Sequence, residues 1–254
     1  MDLHGKCALV TGGGSGMGAS VARMLGARGA RVAVLDLNRD AAEVTANEIA
    51  GLAFSADVAD ESSVKGALEE TISQIGIPRV VVSCAGVAPA SRILRREGPH
   101  ELEFFQDVIS TNLVGTFNVL RLCASKMAAL DPVTAAGGRG VIINTASVAA
   151  YEGQIGQAAY ASSKGGVVSL TLPAARELAR VGIRVMTIAP GLIGTPMLTK
   201  MDEDIQNSLA SQVPFPSRFG QPEEFASLVS HVIDNEMLNG EVIRLDGAIR
   251  LAPK

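Results

Sequence analysis

Short apolar runs and longer segments of helical spacing alternate along the whole chain. Runs such as VAVL before Asp36 and VIIN at residues 141–144 are short and rich in β-branched residues, which is typical of parallel strands buried on both faces. The predicted strands cover residues 6–10, 31–35, 52–55, 79–83, 141–144, 183–188 and 241–245. The predicted helices cover a segment that ends near residue 28, then 40–50, 62–75, 102–130, a segment that starts at 157, and 222–234. Strands that alternate with helices predict one α/β domain over residues 1–254: a Rossmann-type, doubly wound parallel sheet of about seven strands, with helices on both faces.

The composition agrees with a folded domain and argues against several classes of protein. Hydrophobic residues make up 47% of the 254 positions and charged residues 19%, so intrinsic disorder is not expected. There are 26 acidic and 22 basic residues, which gives no electrostatic reason to expect nucleic acid or an anionic membrane as a partner. The sequence contains no run of about 20 apolar residues and no signal-peptide pattern, so no membrane association is expected.

The cysteines and histidines narrow the chemistry further. The three cysteines are widely spaced and lack a CxxC pair, which fits reduced thiols in a cytoplasmic protein better than disulfides or zinc ligands. The three histidines do not cluster, so neither a metal site nor a Ser/His/Asp triad is expected. A tyrosine is therefore the better candidate for an acid or base.

The candidate chemistry lies in residues 141–164. Ser147 follows the end of a predicted strand, and Tyr160 and Lys164 are four apart on one face of a predicted helix. A nearby cation favours a phenolate, so Lys164 is expected to lower the pKa of Tyr160 from about 10. Tyr160 could then exchange a proton with a substrate hydroxyl whose oxygen also bonds to Ser147. A lone YxxxK pair is usually an ordinary surface pair, and the serine before it is what favours a catalytic role.

A glycine-rich turn after the first strand predicts a dinucleotide site. The sequence TGGGSGMG at residues 11–18 has the form TGxxxGxG, in which the backbone can approach a diphosphate at a helix start. Asp36 ends the second strand, where a carboxylate accepts hydrogen bonds from ribose hydroxyls and repels a 2′-phosphate. NAD(H) is therefore favoured over NADP(H), although nearby Arg39 could meet a phosphate. An ordinary turn and a solvated aspartate are the structural alternatives.

These motifs together resemble the short-chain dehydrogenase/reductase family, and the resemblance covers essentially the whole chain. It implies an oxidoreductase that uses NAD. The family's cofactor contacts carry over to Gly12, Ser15, Gly16, Met17, Gly18, Asp36, Asp57, Val58, Cys84, Ala85, Gly86, Tyr160, Lys164, Pro190, Gly191, Ile193 and Thr195. The family's usual Asn-Asn-Ala-Gly is Ser83-Cys84-Ala85-Gly86 here, which leaves the asparagine contribution to strand packing in question.

The same resemblance implies the catalytic and substrate residues. Ser147, Tyr160 and Lys164 would be catalytic, and Asn112 would bend its helix and complete a proton relay through a water beside the lysine. Stretches such as LASQVPFPSR and LNGEVIRLDGAIR narrow the resemblance to the 3-hydroxyacyl-CoA dehydrogenases of the family. Gln154, together with Ser147 and Tyr160, is then implied to contact the substrate. The implied reaction is hydride transfer between NAD(H) and C3 of an (S)-3-hydroxyacyl-CoA, in fatty acid metabolism.

Several points stay open at this level. Arg92, Arg95 and Arg96 lie in a long connection at residues 87–106 and could meet the phosphates of coenzyme A, or could belong to a solvated loop. The substrate could be another secondary alcohol, such as a steroid or a small aliphatic alcohol. A dinucleotide-binding sensor or scaffold without catalysis is a further alternative, which the intact catalytic residues disfavour. The family also implies a homotetramer, and an apolar lid at residues 197–219.

Overall fold

All seven predicted strands form one parallel sheet in the computed structural model, which describes residues 1–199 and 201–253. The strands are β1 (Cys7–Thr11), β2 (Arg31–Asp36), β3 (Leu52–Ser55), β4 (Pro78–Ser83), β5 (Leu94–Arg95), β6 (Gly98–Pro99), β7 (Gly140–Thr145), β8 (Ile183–Pro190) and β9 (Val242–Leu245). The sheet order is β3-β2-β1-β4-β7-β8-β9, while β5 and β6 pair separately as an antiparallel hairpin. The predicted fold class is confirmed.

Helices cover both faces of this sheet, as expected when strands are apolar on both sides. They are α1 (Gly16–Ala27), α2 (Arg39–Glu48), α3 (Glu61–Ile75), α4 (Leu102–Ile109), α5 (Gly115–Met127), α6 (Ala158–Ala179), α7 (Pro196–Thr199), α8 (Glu203–Ala210) and α9 (Pro222–Asp234). Alternate strand residues point to opposite faces. Residues such as Val10 and Ile143 pack with α1, α2 and α9, and residues such as Leu9 and Ile142 pack with α3, α5 and α6.

The helix predicted at residues 102–130 is interrupted and ends earlier than expected. A π-helical turn at Ser110–Val114 separates α4 from α5, and α5 ends at Met127. Asn112 lies within this turn and is fully buried. A π turn inserts an extra residue, which is a change of geometry that apolar periodicity does not reveal. The long connection predicted at residues 87–106 contains the β5–β6 hairpin, which the sequence analysis did not predict.

The topology brings the candidate residues to one edge of the sheet. The chain moves outward from β1 to β3 and then returns to β4 on the other side of β1, so a crevice opens between the segments that follow β1 and β4. Gly12, Asp36, Cys84, Ser147 and Pro190 lie at or just past the carboxyl ends of five different strands. Parallel strands end at the same edge, so all five face one region.

The segment after β8 crosses the same edge. It contains α7 and α8, and its later part contacts the loop after β9, where the Phe215 N–H donates to the Gly247 carbonyl. Val213 is buried in this region and Leu198 lines a cavity described below. Lys200 lies outside the described residues, and the opening and closing of a lid stays a prediction. Within the described ranges, none of the helices combines the length and the apolar character needed to cross a membrane.

Candidate active site

A cavity of about 390 Å³ lies in the crevice between β1 and β4. Its walls include most of the predicted cofactor residues: Gly12, Ser15, Gly16, Met17, Gly18, Asp36, Asp57, Val58, Cys84, Ala85, Gly86 and Thr195. The other predicted cofactor residues line the adjoining cavity: Tyr160, Lys164, Pro190, Gly191 and Ile193. The structure therefore brings together every residue that the sequence pointed to for the cofactor.

The glycine-rich turn leaves the start of α1 open to an anion. Gly12 and Gly16 have positive φ angles of 64° and 50°, and a Cβ on Gly12 would lie 2.6 Å from the backbone nitrogen of Ala85. Ser15 is the N-cap residue of α1, but its side chain makes no capping hydrogen bond and the first turn contains no acidic residue. The first N–H groups of a helix attract negative charge when no side chain caps them. The turn therefore fits a diphosphate.

A carboxylate lines this cleft in a fixed orientation. Asp36 accepts the Gly14 N–H at 2.9 Å with one oxygen and the Asn38 N–H at 3.0 Å with the other. Arg39 instead pairs with Glu43 on its own helix at 2.8 Å and does not line the cleft. Asp36 therefore gives this part of the cleft a negative charge, which suits the hydroxyls of a ribose better than a 2′-phosphate. Leu37 also lines the cleft with 73% of its surface exposed, and nothing in the sequence pattern singled it out.

Ser147, Tyr160 and Lys164 meet in the adjoining cavity of about 210 Å³. Ser147 follows β7 and begins a short 3₁₀ turn, and its Oγ accepts the Ala149 N–H at 3.1 Å. The Ser147 side chain also lies near the Tyr160 hydroxyl, where it acts to lower the pKa of that phenol. Lys164 lies one turn along α6, with Nζ 5.9 Å from the centre of the Tyr160 ring, and donates to the Thr145 carbonyl at 2.8 Å. The three predicted catalytic residues therefore line the same small cavity.

Burial governs the protonation of Tyr160 and Lys164. Burial raises the pKa of Tyr160, and the nearby Ser147 side chain offsets only part of that rise. Burial also lowers the pKa of Lys164 to about 8, against a smaller effect of Cys84. The expected lowering of the tyrosine pKa by Lys164 is therefore not seen: the removal of the phenol from water dominates, and Lys164 is not among the groups that shift this pKa. At neutral pH, Tyr160 carries its proton and Lys164 is mainly an ammonium.

Asn112 connects the cofactor cleft to the catalytic helix. Its Oδ1 accepts the Val87 N–H at 2.8 Å, and its Nδ2 donates to the Val87 carbonyl at 2.9 Å and to Ser163 Oγ at 3.0 Å. Ser163 Oγ in turn donates to the Tyr160 carbonyl at 2.7 Å. A Cβ on Gly86 would lie 2.9 Å from Asn112 Oδ1, so the segments that contain Gly86 and Asn112 approach closely. The side chain thus orients the site, while its part in a proton relay stays a prediction.

Gln154 lies away from the other predicted substrate residues. Its Nε2 donates to the Ala252 carbonyl at 2.9 Å, and the residue lines a separate groove of about 370 Å³ beside the β5–β6 hairpin. Gln157, three residues later, lines both that groove and the cavity of Ser147 and Tyr160. Substrate contact by Gln154 stays a prediction, and Gln157 is an additional candidate that the sequence analysis missed.

Other contributors to the site could not be recognised from the sequence. Thr145 contributes the backbone carbonyl that accepts a hydrogen bond from Lys164. Any residue type would supply that carbonyl, so the sequence could not identify this contact. Asn118 donates from α5 to the Val58 carbonyl at 3.0 Å and orients the loop after β3, and its only signal is a polar residue within an apolar helix. Leu251 lines the Tyr160 cavity from a distant part of the chain. Among the described residues, no group of three or more His, Cys, Asp or Glu side chains is placed to hold a metal ion.

Comparison with known proteins points to one family. Residues 6–206 match the short chain dehydrogenase family. The chain is 54% identical to 3-hydroxyacyl-CoA dehydrogenase type-2 of Bos taurus and 53% identical to that of Homo sapiens, with 99% of this chain and 98% of each relative covered. A crystal structure of 3-hydroxyacyl-CoA dehydrogenase type-2 from Mycobacterium avium superposes with a TM-score of 0.94 at 42% identity, over 98% of both chains.

Proposed function

The chain belongs to the short-chain dehydrogenase family, and from that membership we propose that it transfers a hydride between NAD(H) and C3 of an (S)-3-hydroxyacyl-CoA or the matching 3-ketoacyl-CoA. One observation carries the proposal: Tyr160 lines a cavity together with Ser147 and Lys164, and this cavity adjoins the dinucleotide cleft. Met17 and Cys84 line both cavities. A reacting carbon placed there would lie between an acid and a nicotinamide.

The chain's own residues supply the proton chemistry. In reduction, Tyr160 donates its hydroxyl proton to the carbonyl oxygen of the substrate, and Ser147 donates a hydrogen bond to the same oxygen. Lys164 stabilises the phenolate that remains, and in oxidation the proton moves the other way. A bound NAD(H) supplies the hydride acceptor or donor for the substrate carbon. The raised pKa of Tyr160 keeps the phenol protonated at neutral pH, which suits the acid role.

The choice of NAD over NADP rests on Asp36. Its carboxylate lines the adenosine end of the cleft and is oriented by two backbone N–H groups, so it can accept hydrogen bonds from ribose hydroxyls. A 2′-phosphate would bring two negative groups together there. Arg39, the cation that could have neutralised them, is paired with Glu43.

The choice of a coenzyme A thioester rests on the named relatives and on the second groove. The relatives at 48–54% identity over 99% of this chain all carry the name 3-hydroxyacyl-CoA dehydrogenase type-2. The groove beside the hairpin shares Gln157 with the Tyr160 cavity, and Arg92 lies on its wall. A pantetheine arm could follow this groove and bring phosphates towards Arg92 and the exposed Arg96. Arg95 is already paired with Glu101 at 2.8 Å.

The first experiment is to follow NADH oxidation with acetoacetyl-CoA, beside NADPH and beside a simple ketone without coenzyme A. Turnover with NADH and the thioester alone supports both parts of the proposal. Faster turnover of the simple ketone or of a steroid would refute the thioester assignment. Faster turnover with NADPH would refute the role of Asp36.

A matched pair of variants tests the acid. Tyr160→Phe should remove nearly all turnover and leave NADH binding largely intact, while Tyr151→Phe removes the hydroxyl from the chain's other tyrosine and should keep turnover. Tyr151 is half exposed and stacks on Arg244, a contact that phenylalanine retains. Turnover by Tyr160→Phe would refute the assignment of the acid.

We also propose a homotetramer in the cytoplasm. Val114 in the π turn, Phe117 on α5 and Leu172 on α6 are large apolar side chains that lie exposed, where a second copy would cover them. The three cysteines are free thiols, which fits a reducing compartment. Analytical ultracentrifugation tests the assembly, and a monomer at micromolar concentration would refute it.

A further inference from the structure

A short tail after β9 forms one side of the cavity that holds Tyr160. We define the tail as residues 249–253. Ile249 is fully buried, and Leu251 lines the cavity together with Ser147 and Tyr160. Nearly a hundred residues separate Leu251 from the catalytic segment along the chain. The tail therefore contributes an apolar side chain to the place where the substrate carbon would react.

The tail is bound by the segment that joins Ser147 to the catalytic helix. Glu152 accepts the Leu251 N–H at 3.2 Å, and Gln154 Nε2 donates to the Ala252 carbonyl at 2.9 Å. The Ile155 N–H donates to the Pro253 carbonyl at 3.0 Å. Three consecutive tail residues are thus hydrogen-bonded to residues 152–155. This pairing explains the position of Gln154, whose side chain supports the tail.

A network of charges fixes Glu152 in turn. Its two carboxylate oxygens accept hydrogen bonds from Arg244 at 2.8 and 3.1 Å, and Arg250 lies 3.4 Å away. Arg244 also pairs with Asp246 at 2.7 Å. The hydrogen bonds from Arg244 hold the pKa of Glu152 below its usual value. A bidentate arginine with a carboxylate that is only 19% exposed gives a defined geometry, unlike an isolated surface pair.

We propose that Leu251 sets the size of the acyl group that the site accepts, and that Glu152 is the positioning residue that keeps Leu251 in the cavity wall. This inference rests on the proposed function, because it assigns the cavity to the acyl part of a thioester. Leu251 is apolar and lines a small cavity, so its side chain competes with the carbons of the substrate for volume. A change of one methylene in such a pocket alters the ratio of kcat/KM for two competing substrates by roughly tenfold or more.

The experiment compares kcat/KM for short, medium and long 3-ketoacyl-CoA thioesters. Leu251→Ala should raise the ratio of long to short substrate by roughly tenfold, and Leu251→Phe should lower it. Glu152→Gln should shift the ratio in the direction of Leu251→Ala, mainly through KM. Glu48→Gln is the control: it breaks the surface ion pair between Glu48 on α2 and Arg23 on α1, and it should leave the ratio of long to short substrate unchanged. An unchanged ratio in Leu251→Ala overturns the inference.

A double variant tests whether Glu152 acts through Leu251. If it does, Glu152→Gln adds little to the ratio in the Leu251→Ala background, because the side chain that it positions is gone. A full additional shift would overturn the positioning role. NADH binding, measured by fluorescence, shows whether each variant is folded. If Glu152→Gln does not fold, the opposite shifts of Leu251→Ala and Leu251→Phe decide the inference alone.

The result for the unmodified protein separates this inference from the proposed function. If it reduces no 3-ketoacyl-CoA, the proposed function fails, and the same variants are compared on ketones of graded size that the protein does reduce. A size preference that depends on Leu251 would then support the role of the tail independently of coenzyme A. A preference that ignores Leu251 would overturn it.

Discussion

The buried ammonium of Lys164 should cost this fold stability, and the cost can be worked out from the structure. Lys164 is only 5% exposed, and the Thr145 carbonyl accepts one of its three hydrogens. Burial lowers its pKa from 10.5 to about 8. One pKa unit corresponds to 1.36 kcal/mol, so keeping the charge inside the protein costs about 3 kcal/mol.

Replacing this lysine should therefore stabilise the protein while abolishing its activity. Lys164→Met keeps an unbranched side chain of similar length and removes the charge, but leaves the Thr145 carbonyl without its donor, which costs about 1–2 kcal/mol. A net gain of about 1–2 kcal/mol is expected at pH 7 without cofactor. For a chain of this size, that gain corresponds to a rise in Tm of roughly 2–8 °C. Turnover should be lost, because no cation then stabilises the phenolate of Tyr160.

The pH dependence distinguishes this explanation from simple repacking. The unfolded chain keeps the Lys164 proton up to about pH 10.5, whereas the folded protein releases it at about 8. Between these values the unfolded state binds more protons, so the free energy of unfolding of the unmodified protein rises with pH. The advantage of Lys164→Met should be constant below pH 8 and shrink above it.

Urea unfolding at fixed protein concentration, without NADH, measures this advantage across the pH range. Lys126→Met removes an exposed lysine from the end of α5 and is the control, for which no such trend is expected. A Lys164→Met protein that is less stable than the unmodified one at pH 7, or an advantage that does not shrink above pH 8, would refute the reasoning.

Three further predictions concern activity. Asp36→Asn should raise the NADPH to NADH ratio of kcat/KM by roughly tenfold, the equivalent of 1.4 kcal/mol of lost repulsion, and an unchanged ratio would contradict the role of Asp36. Asn112→Ala should lower kcat and destabilise the fold by about 2–4 kcal/mol, since it removes three hydrogen bonds to Val87 and Ser163; normal kcat and urea midpoint would contradict this. Because burial raises the pKa of Tyr160, ketone reduction should not fall between pH 6 and 8 while alcohol oxidation rises; a falling reduction rate would mean that Tyr160 is already deprotonated there.

Much of the fold and the outline of the site could be predicted from the sequence. The short β-branched runs are strong local signals, and parallel strands end at one edge, so Gly12, Asp36 and Ser147 had to lie along the same edge of the sheet. Tyr160 and Lys164 share a helix face because they are four residues apart. These inferences depend on spacing along the chain, which the sequence states directly.

Only the tertiary structure decided the electrostatics and the distant contacts. The pKa of Tyr160 is raised because helices and sheet remove the phenol from water, and the amount of burial depends on everything packed around it. The π turn at Asn112 is a matter of backbone geometry that a polar or apolar pattern does not encode. The contact of Leu251 with the catalytic cavity, and of Gln154 with Ala252, joins segments about a hundred residues apart. Local spacing contains no information on such pairs, because they form only when the completed sheet brings its last strand beside the earlier ones.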